Sequence, residues 1–319
     1  MRYTTFLIFA AISACTSSVP LLPAPPSWIT TLSASHVLNG KIWSVGDRQF
    51  VTPQRIAAAA ARANYVFLGE NHDNPDHHSL QAWMLRALTR QGRKPAIVFE
   101  MIEETRQTAL DKYQRNNLTA AGLGAAVEWE KTGWPDWSTY QPIADAALAS
   151  KLPVFAGNPA KHGKLLTKDR RKRLGLDVPL PTKQHDLMLE TIDAGHCRLV
   201  PKQHLEPMIA IQRARDAVLA DNAHIAAKST PNQGAVVILG ANHARKDYAA
   251  PIVLERLHPG QYLLSVAFIE VDDTLKSPAN YAQNFGADTI PFDYIWFTPR
   301  ANNRDYCAGL KQKFKNFKK

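Results

Sequence analysis

The phrase Leu68-Gly69-Glu70-Asn71-His72 returns, with one change, as Leu239-Gly240-Ala241-Asn242-His243. An apolar run precedes each copy: Tyr65-Val66-Phe67 in the first, Ala235-Val236-Val237-Ile238 in the second. Apolar runs without polar alternation, closed by a glycine, read as strands buried on both faces, the pattern of a parallel sheet. In an open α/β sheet the loops leaving the carboxyl ends of strands converge on one crevice. Two copies separated by most of the chain therefore predict one site holding both histidines.

Other segments repeat the strand pattern at residues 41–45, 95–99, 153–156, 262–271 and 294–298. Between them lie helical spacings at 52–63, 80–88, 105–116, 142–150 and a long stretch past Arg215. Strands alternating with helices predict an α/β fold with a mainly parallel sheet flanked by helices. Residues 164–228 are mainly helical and read as an insertion, a lid or a dimerisation arm. The aromatic stretch from Glu128 to Tyr140, with Trp134 and Trp137, reads as a structured loop. One domain over residues 36–305 accommodates all of this, and no solenoid period is present.

The ends of the chain differ from that domain. Residues 1–14 combine Arg2 with a short apolar run, the pattern of a secretory signal. Ile12-Ser13-Ala14-Cys15 resembles the lipobox of bacterial lipoproteins, in which the cysteine is lipidated. Thr16 after it resembles the outer-membrane sorting pattern of Gram-negative bacteria. Residues 15–35, rich in Pro, Ser and Thr, read as a linker between lipid and domain. Residues 306–319 are a basic tail, and Lys168, Arg170, Arg171, Lys172 and Arg173 form a second basic run. Together they account for much of the net charge of +10. No basic helix interleaved with stacking aromatics is present, so nucleic acid is not an expected partner. Export places Cys197 and Cys307 in an oxidising compartment, where they are candidates for a disulfide.

Four strand ends carry polar groups: Glu70 with His72, Glu100, Asn158, and His243. Imidazole and carboxylate together suit a divalent metal, and a metal with an open position activates water. Glu70, His72, Glu100 and His243 are thus the candidate set for a metal-dependent hydrolase, although no HExxH is present. Each histidine taken singly reads more readily as a hydrogen-bonded structural residue, and the duplication brings the functional reading level with it. Asp73 joins Asp76, His77 and His78 in the first loop. Asp76 reads as a helix N-cap, and His77 and His78 as solvated helix-start residues.

Four motifs together carry a family resemblance: Gly69-Glu70-Asn71-His72-Asp73-Asn74-Pro75-Asp76-His77-His78; Phe99-Glu100-Met101; Trp134-Pro135-x-Trp137-x-x-Tyr140-x-Pro142; and Gly240-x-Asn242-His243-x-Arg245-x-Asp247-Tyr248. The chain resembles the ChaN-type haem-binding lipoproteins, within a superfamily that includes Tiki-type proteins and erythromycin esterases. That resemblance implies a protein of haem and iron uptake, anchored by lipid to the outer membrane and serving a haem receptor. It further implies a homodimer with two haems stacked face to face, iron held by tyrosine, and histidine holding propionates. Tyr140 and Tyr248 are the two candidate iron ligands, and His72 and His243 are candidate haem contacts. Trp134 and Trp137 are candidates for stacking on the porphyrin, and Arg245 and Lys246 for neutralising propionates.

Overall fold

The computed structural model describes residues 22–116, 119–164 and 166–317, with side chains described to residue 312. The signal segment, Cys15, Thr16, Lys318 and Lys319 lie outside the described residues. In chain order the strands are β1 (Ile42–Ser44), β2 (Gln49–Val51), β3 (Tyr65–Glu70), β4 (Ala96–Glu103), β5 (Val154–Asn158), β6 (Ala235–Gly240), β7 (Leu263–Glu270) and β8 (Tyr294–Thr298). The helices are α1 (Pro53–Arg62), α2 (Pro75–Arg90), α3 (Gln107–Arg115), α4 (Ala120–Ala126), α5 (Trp137–Ala149), α6 (Lys168–Arg173), α7 (Thr182–Gly195), α8 (Leu205–Lys228), α9 (Ala250–Leu257) and α10 (Tyr306–Phe317).

All eight strands form one sheet in the order β2-β1-β8-β7-β3-β6-β4-β5. Strand β1 is antiparallel to both of its neighbours, and the six strands from β8 to β5 are parallel. The expected mainly parallel sheet is therefore present, extended by a short antiparallel edge. Helices α1, α2, α4 and α5 cover one face, packed on Val66, Leu68, Val236 and Ile238. Helices α8 and α9 cover the other, packed on Phe67, Val237 and Leu239. Moves toward β5 cross the first face and moves back cross the second, as right-handed crossovers require. Strands β3 and β6 are adjacent, yet β3 continues into α2 and β6 into α9, so their loops part to opposite faces. This is the switch point at which a parallel sheet opens a crevice.

The two copies of the repeated phrase lie side by side there, offset by one residue. Leu68 pairs with Ile238, and Glu70 with Gly240. Side chains alternate faces along a strand, so the offset sends Leu68 and Leu239 into opposite cores. Because both faces are buried, apolar pattern alone does not set this register. Close packing does: a Cβ on Gly69 would stand 2.9 Å from Ala241 Cα and from the Ala244 methyl.

Several expectations are corrected. The second half of α8 is a layer helix of the fold, with Ala217, Val218, Leu219 and Ala220 in the core. The helical excursion is thus confined to α6, α7 and the first half of α8. The aromatic stretch ends in helix: α5 begins at Trp137 and continues through Pro142. Burial of Trp137 and Tyr140 draws the first turn into order ahead of the proline, and Trp137 Nε1 donates to Ala120 O at 3.0 Å. Within the basic run of α6, Arg170 pairs with Glu104 and Arg173 with Asp221. Cys197 and Cys307 form a disulfide that ties α10 to the turn after α7.

Asp76 is not the N-cap of α2. Asn74 is, with its Oδ1 accepting from Asp76 N at 2.9 Å and Pro75 at the first helical position. Asp76 instead accepts from Ile29 N at 2.6 Å, from Thr30 N at 3.1 Å and from the Thr30 hydroxyl. From residue 22 the expected linker therefore lies on the domain, and Trp83 Nε1 further donates to Pro23 O. His77 and His78 are not solvated but fully buried. His77 Nδ1 accepts from Asn71 N at 2.8 Å, and its Nε2 bonds Thr298 Oγ1 at 2.8 Å. Hydrogen bonds to a charged group contribute about 1.5–3 kcal/mol. Asp76→Ala should lower unfolding stability by about 2 kcal/mol and open residues 22–31 to protease, read by denaturant melts and limited proteolysis. Unchanged protection of that segment would refute the tether.

Candidate functional site at the carboxyl edge of the sheet

The repeated phrase, α5 and α8 build one polar cluster. Glu70 ends β3 with its carboxylate fully buried. Its Oε1 accepts from His72 Nδ1 at 2.8 Å and from the Tyr140 hydroxyl at 2.7 Å. Its Oε2 lies 3.2 Å from His78 Nε2, and the His78 ring stacks on Tyr140 with centroids 4.0 Å apart. Burial pushes the Glu70 carboxyl up, but His78 and the bond from His72 outweigh it and hold it far below the usual carboxylate range. Burial works against a charged His72, yet Glu70 and the field of Glu100 prevail and raise it.

A second half mirrors the first. Glu100 lies not at a strand end but within β4, just where its regular pairing with β5 breaks. It is fully buried, and its Oε2 accepts from Gly240 N at 2.7 Å. Oε1 accepts from Arg215 Nη2 and lies 3.3 Å from His243 Nε2. His243 Nδ1 pairs with Asp216 Oδ1 at 2.6 Å. Where the first phrase has Glu70, the second has Ala241, and α8 supplies the missing carboxylate through Asp216. Gln212 Nε2 lies across the same imidazole, 3.1 Å from Nδ1, but Asp216 is the closer partner. Burial raises Asp216 above its ordinary value, against the pull of His243. Burial likewise opposes a charged Glu100, but His243, Arg215 and the Gly240 N–H together lower it. Gly240 makes the two halves meet, since a Cβ there would stand 2.8 Å from His72 Nε2.

Above this floor opens a cavity of about 480 Å³. Ligand sites combine apolar walls with a few placed polar groups at volumes of about 300–1,000 Å³. Trp134, with its ring 4.6 Å from that of His72, forms one wall. Met188, Thr191 and Ile192 of α7 form another, and Tyr248 closes a side. Tyr248 is 2% exposed, with the Arg245 guanidinium 4.4 Å from its ring centroid. Burial pushes its phenol up to about 12, with Arg245 opposing.

Residues 56–254 match the model of a family described as haem-binding uptake, Tiki superfamily, ChaN. The chain belongs to this family. Among curated proteins none matches the sequence. The solved structure of ChaN of Campylobacter jejuni, a protein that binds haem cofacially, has a similar fold. The TM-score is 0.59 at 19% identity, over 80% of this chain and 95% of that one. A mutant erythromycin esterase in its open conformation aligns at TM-score 0.46 and 12% identity, over 84% and 99% of the two chains.

In this ChaN-family chain the residues singled out from sequence separate by depth. Glu70, His72, Glu100 and His243 come together on the cavity floor as carboxylate–imidazole pairs. Among the described residues no three His, Cys, Asp or Glu side chains are set to hold a metal ion. Asn158 accepts from Arg215 Nε at 3.4 Å. Tyr140 is fully buried behind the floor, and burial together with Glu70 raises its hydroxyl far above the ordinary phenol value. Trp137 is buried against Trp129. Arg245, fully buried, is held by Asp247 at 2.7 Å and by Phe285 O at 2.9 Å, and Lys246 is held by Asp293 at 2.6 Å. Neither cation lines the cavity. Gln212, Arg215 and Asp216 were missed by sequence reasoning. Their signal is three polar residues at helical spacing in an alanine-rich helix.

A histidine whose value is raised on folding adds stability that is fully present below its unfolded value near 6.5 and fades as pH rises through the folded one. Wild type should therefore exceed His72→Gln in stability by more at pH 5.5 than at pH 9, in denaturant melts. A gap independent of pH would show that His72 is not paired with Glu70 as a cation.

Proposed function

We propose that this protein binds haem in the carboxyl-edge cavity as part of haem and iron uptake, with Tyr248 as the iron ligand. The position of Tyr248 carries the reading. Of the two tyrosines in family-like segments, Tyr248 stands on the cavity wall with its hydroxyl bonded to Thr191 of the same wall, whereas the Tyr140 hydroxyl is committed to the buried Glu70 behind the floor. Tyrosine is a known axial ligand of haem iron, and the other residues present fit a porphyrin. Trp134, Met188 and Ile192 offer apolar cover for the ring. His72 and His243, oriented by Glu70 and Asp216, offer polar contacts from the floor. Family membership supports haem as the ligand, and the fold shared with C. jejuni ChaN is consistent with it.

The finer parts of the proposal rest on sequence. Lipidation at Cys15 would hold the protein at the outer membrane. A homodimer would pair two haems face to face, and a haem receptor would be the partner in uptake. Packing of residues 22–30 against α2 supports a domain close to its anchor, because residues 15–22 span at most about 25 Å at the reach of an extended chain.

Titrating the purified protein with ferric haem should give a saturable Soret shift with a tyrosinate-type spectrum, together with dimer formation on sizing. Tyr248→Phe should lose that spectrum. Tyr140→Phe should keep it while losing about 1–3 kcal/mol of stability, because Glu70 loses a buried donor. A wild type without spectral change at large haem excess would refute haem binding, and an unchanged Tyr248→Phe spectrum would refute the ligand. Cys15→Ser should move the protein from the membrane to the soluble fraction; retention at the membrane would refute the anchor.

A further inference from the structure

Arg215 is the one arginine or lysine among the described residues that line the cavity. Its guanidinium is gripped on one edge, with Nε directed to Asn158 Oδ1 at 3.4 Å and Nη2 donating to Glu100 Oε1. Both acceptors are fixed in turn. Glu100 is fully buried and receives Gly240 N at 2.7 Å, and Asn158 ends β5 at 6% exposure. A guanidinium has five N–H donors on three nitrogens. Nη1, which carries two of them, has no acceptor among the described residues, while the side chain keeps 18% exposure.

The surrounding charges narrow what that group can meet. The floor already holds three buried carboxylates, Glu70, Glu100 and Asp216. A ligand anion elsewhere on the floor would face them without an arginine or lysine of its own. Arg245 and Lys246 offer no relief, because Asp247 and Asp293 hold them away from the cavity wall. A planar guanidinium held on one edge presents a donor in a fixed direction, the arrangement that recognises carboxylates.

We infer that Arg215 reads a carboxylate of the cavity's ligand through Nη1, and so decides which end of that ligand enters first. The assignment rests on the haem reading, in which the carboxylates are the two propionates along one edge of the porphyrin. It places that edge toward α8 and β5 and leaves the opposite, apolar edge toward the remaining walls. Asn158 and Glu100 act through Arg215, setting its direction.

The test uses metal-free protoporphyrin IX and its dimethyl ester, so that iron ligation does not contribute. Quenching of tryptophan fluorescence reads binding to the full-length protein. Wild type should bind the diacid about 10- to 100-fold more tightly than the diester, the range of a charge-assisted hydrogen bond. Arg215→Gln should bring that ratio close to one while leaving diester affinity within about twofold, and Arg215→Lys should recover part of it. Circular dichroism and thermal melts check that both variants fold. If Arg215→Gln does not fold, Arg215→Lys and the wild-type ratio still decide the matter. Equal binding of diacid and diester by wild type, or an intact preference in a folded Arg215→Gln, overturns the assignment and leaves haem binding standing. Failure to bind either porphyrin overturns haem binding itself, and this assignment with it.

Discussion

Burial of two carboxylates, Glu70 and Glu100, on either side of Gly240 is the constraint around which the carboxyl edge is organised. Leaving a carboxylate unpaired in the interior costs several kcal/mol, so each must be met by donors from other parts of the chain. Glu70 draws on His72 in its own loop, on His78 at the start of α2 and on Tyr140 of α5. Glu100 draws on Arg215 of α8, His243 and the Gly240 backbone. These partners come from both helical layers, so satisfying the two charges holds both layers to the edge of the sheet. Gly240 lets the halves approach, because no side chain occupies the space taken by the His72 imidazole.

Helix α8 links fold to function. Its second half packs on the sheet as a layer helix, while Gln212, Arg215 and Asp216 in its middle reach the cavity floor. One rigid element therefore sets core and site together. Helix α7 contributes differently. Met188 is its only fully buried side chain, and it lines the cavity as part of a small apolar cluster with Ile209, Tyr248 and Ala249. The disulfide at Cys197 fixes the turn that follows His196, another cavity residue. The floor is thus built from buried ion pairs and one wall from a peripheral helix.

Much of this was legible from residue order. The strands at Tyr65, Ala96, Val154 and Ala235 were readable because parallel strands buried on both faces leave unbroken apolar runs. The convergence of His72 and His243 followed from the same fact, as both histidines leave carboxyl ends of strands in one sheet. Burial depth was not legible. Asp76, His77 and His78 look like an ordinary polar helix start, yet residues 29–30 cover Asp76, the end of β8 meets His77, and Glu70 and Tyr140 enclose His78. The helix start at Trp137 was hidden by Pro142, since the core contacts of Trp137 and Tyr140 override a local breaker.

By itself, the sequence determined the α/β class, the parallel sheet and the edge at which the two histidines meet, because apolar periodicity and glycine placement are local properties. Only the tertiary structure decided the one-residue offset that sets Glu70 beside Gly240. It also supplied Asp216 to the second histidine, withdrew Tyr140 behind the floor and left Tyr248 on the wall. Those outcomes depend on which residues distant in sequence come within hydrogen-bonding range, and on how much water each one keeps. Packing of helices on both faces of the sheet decides both.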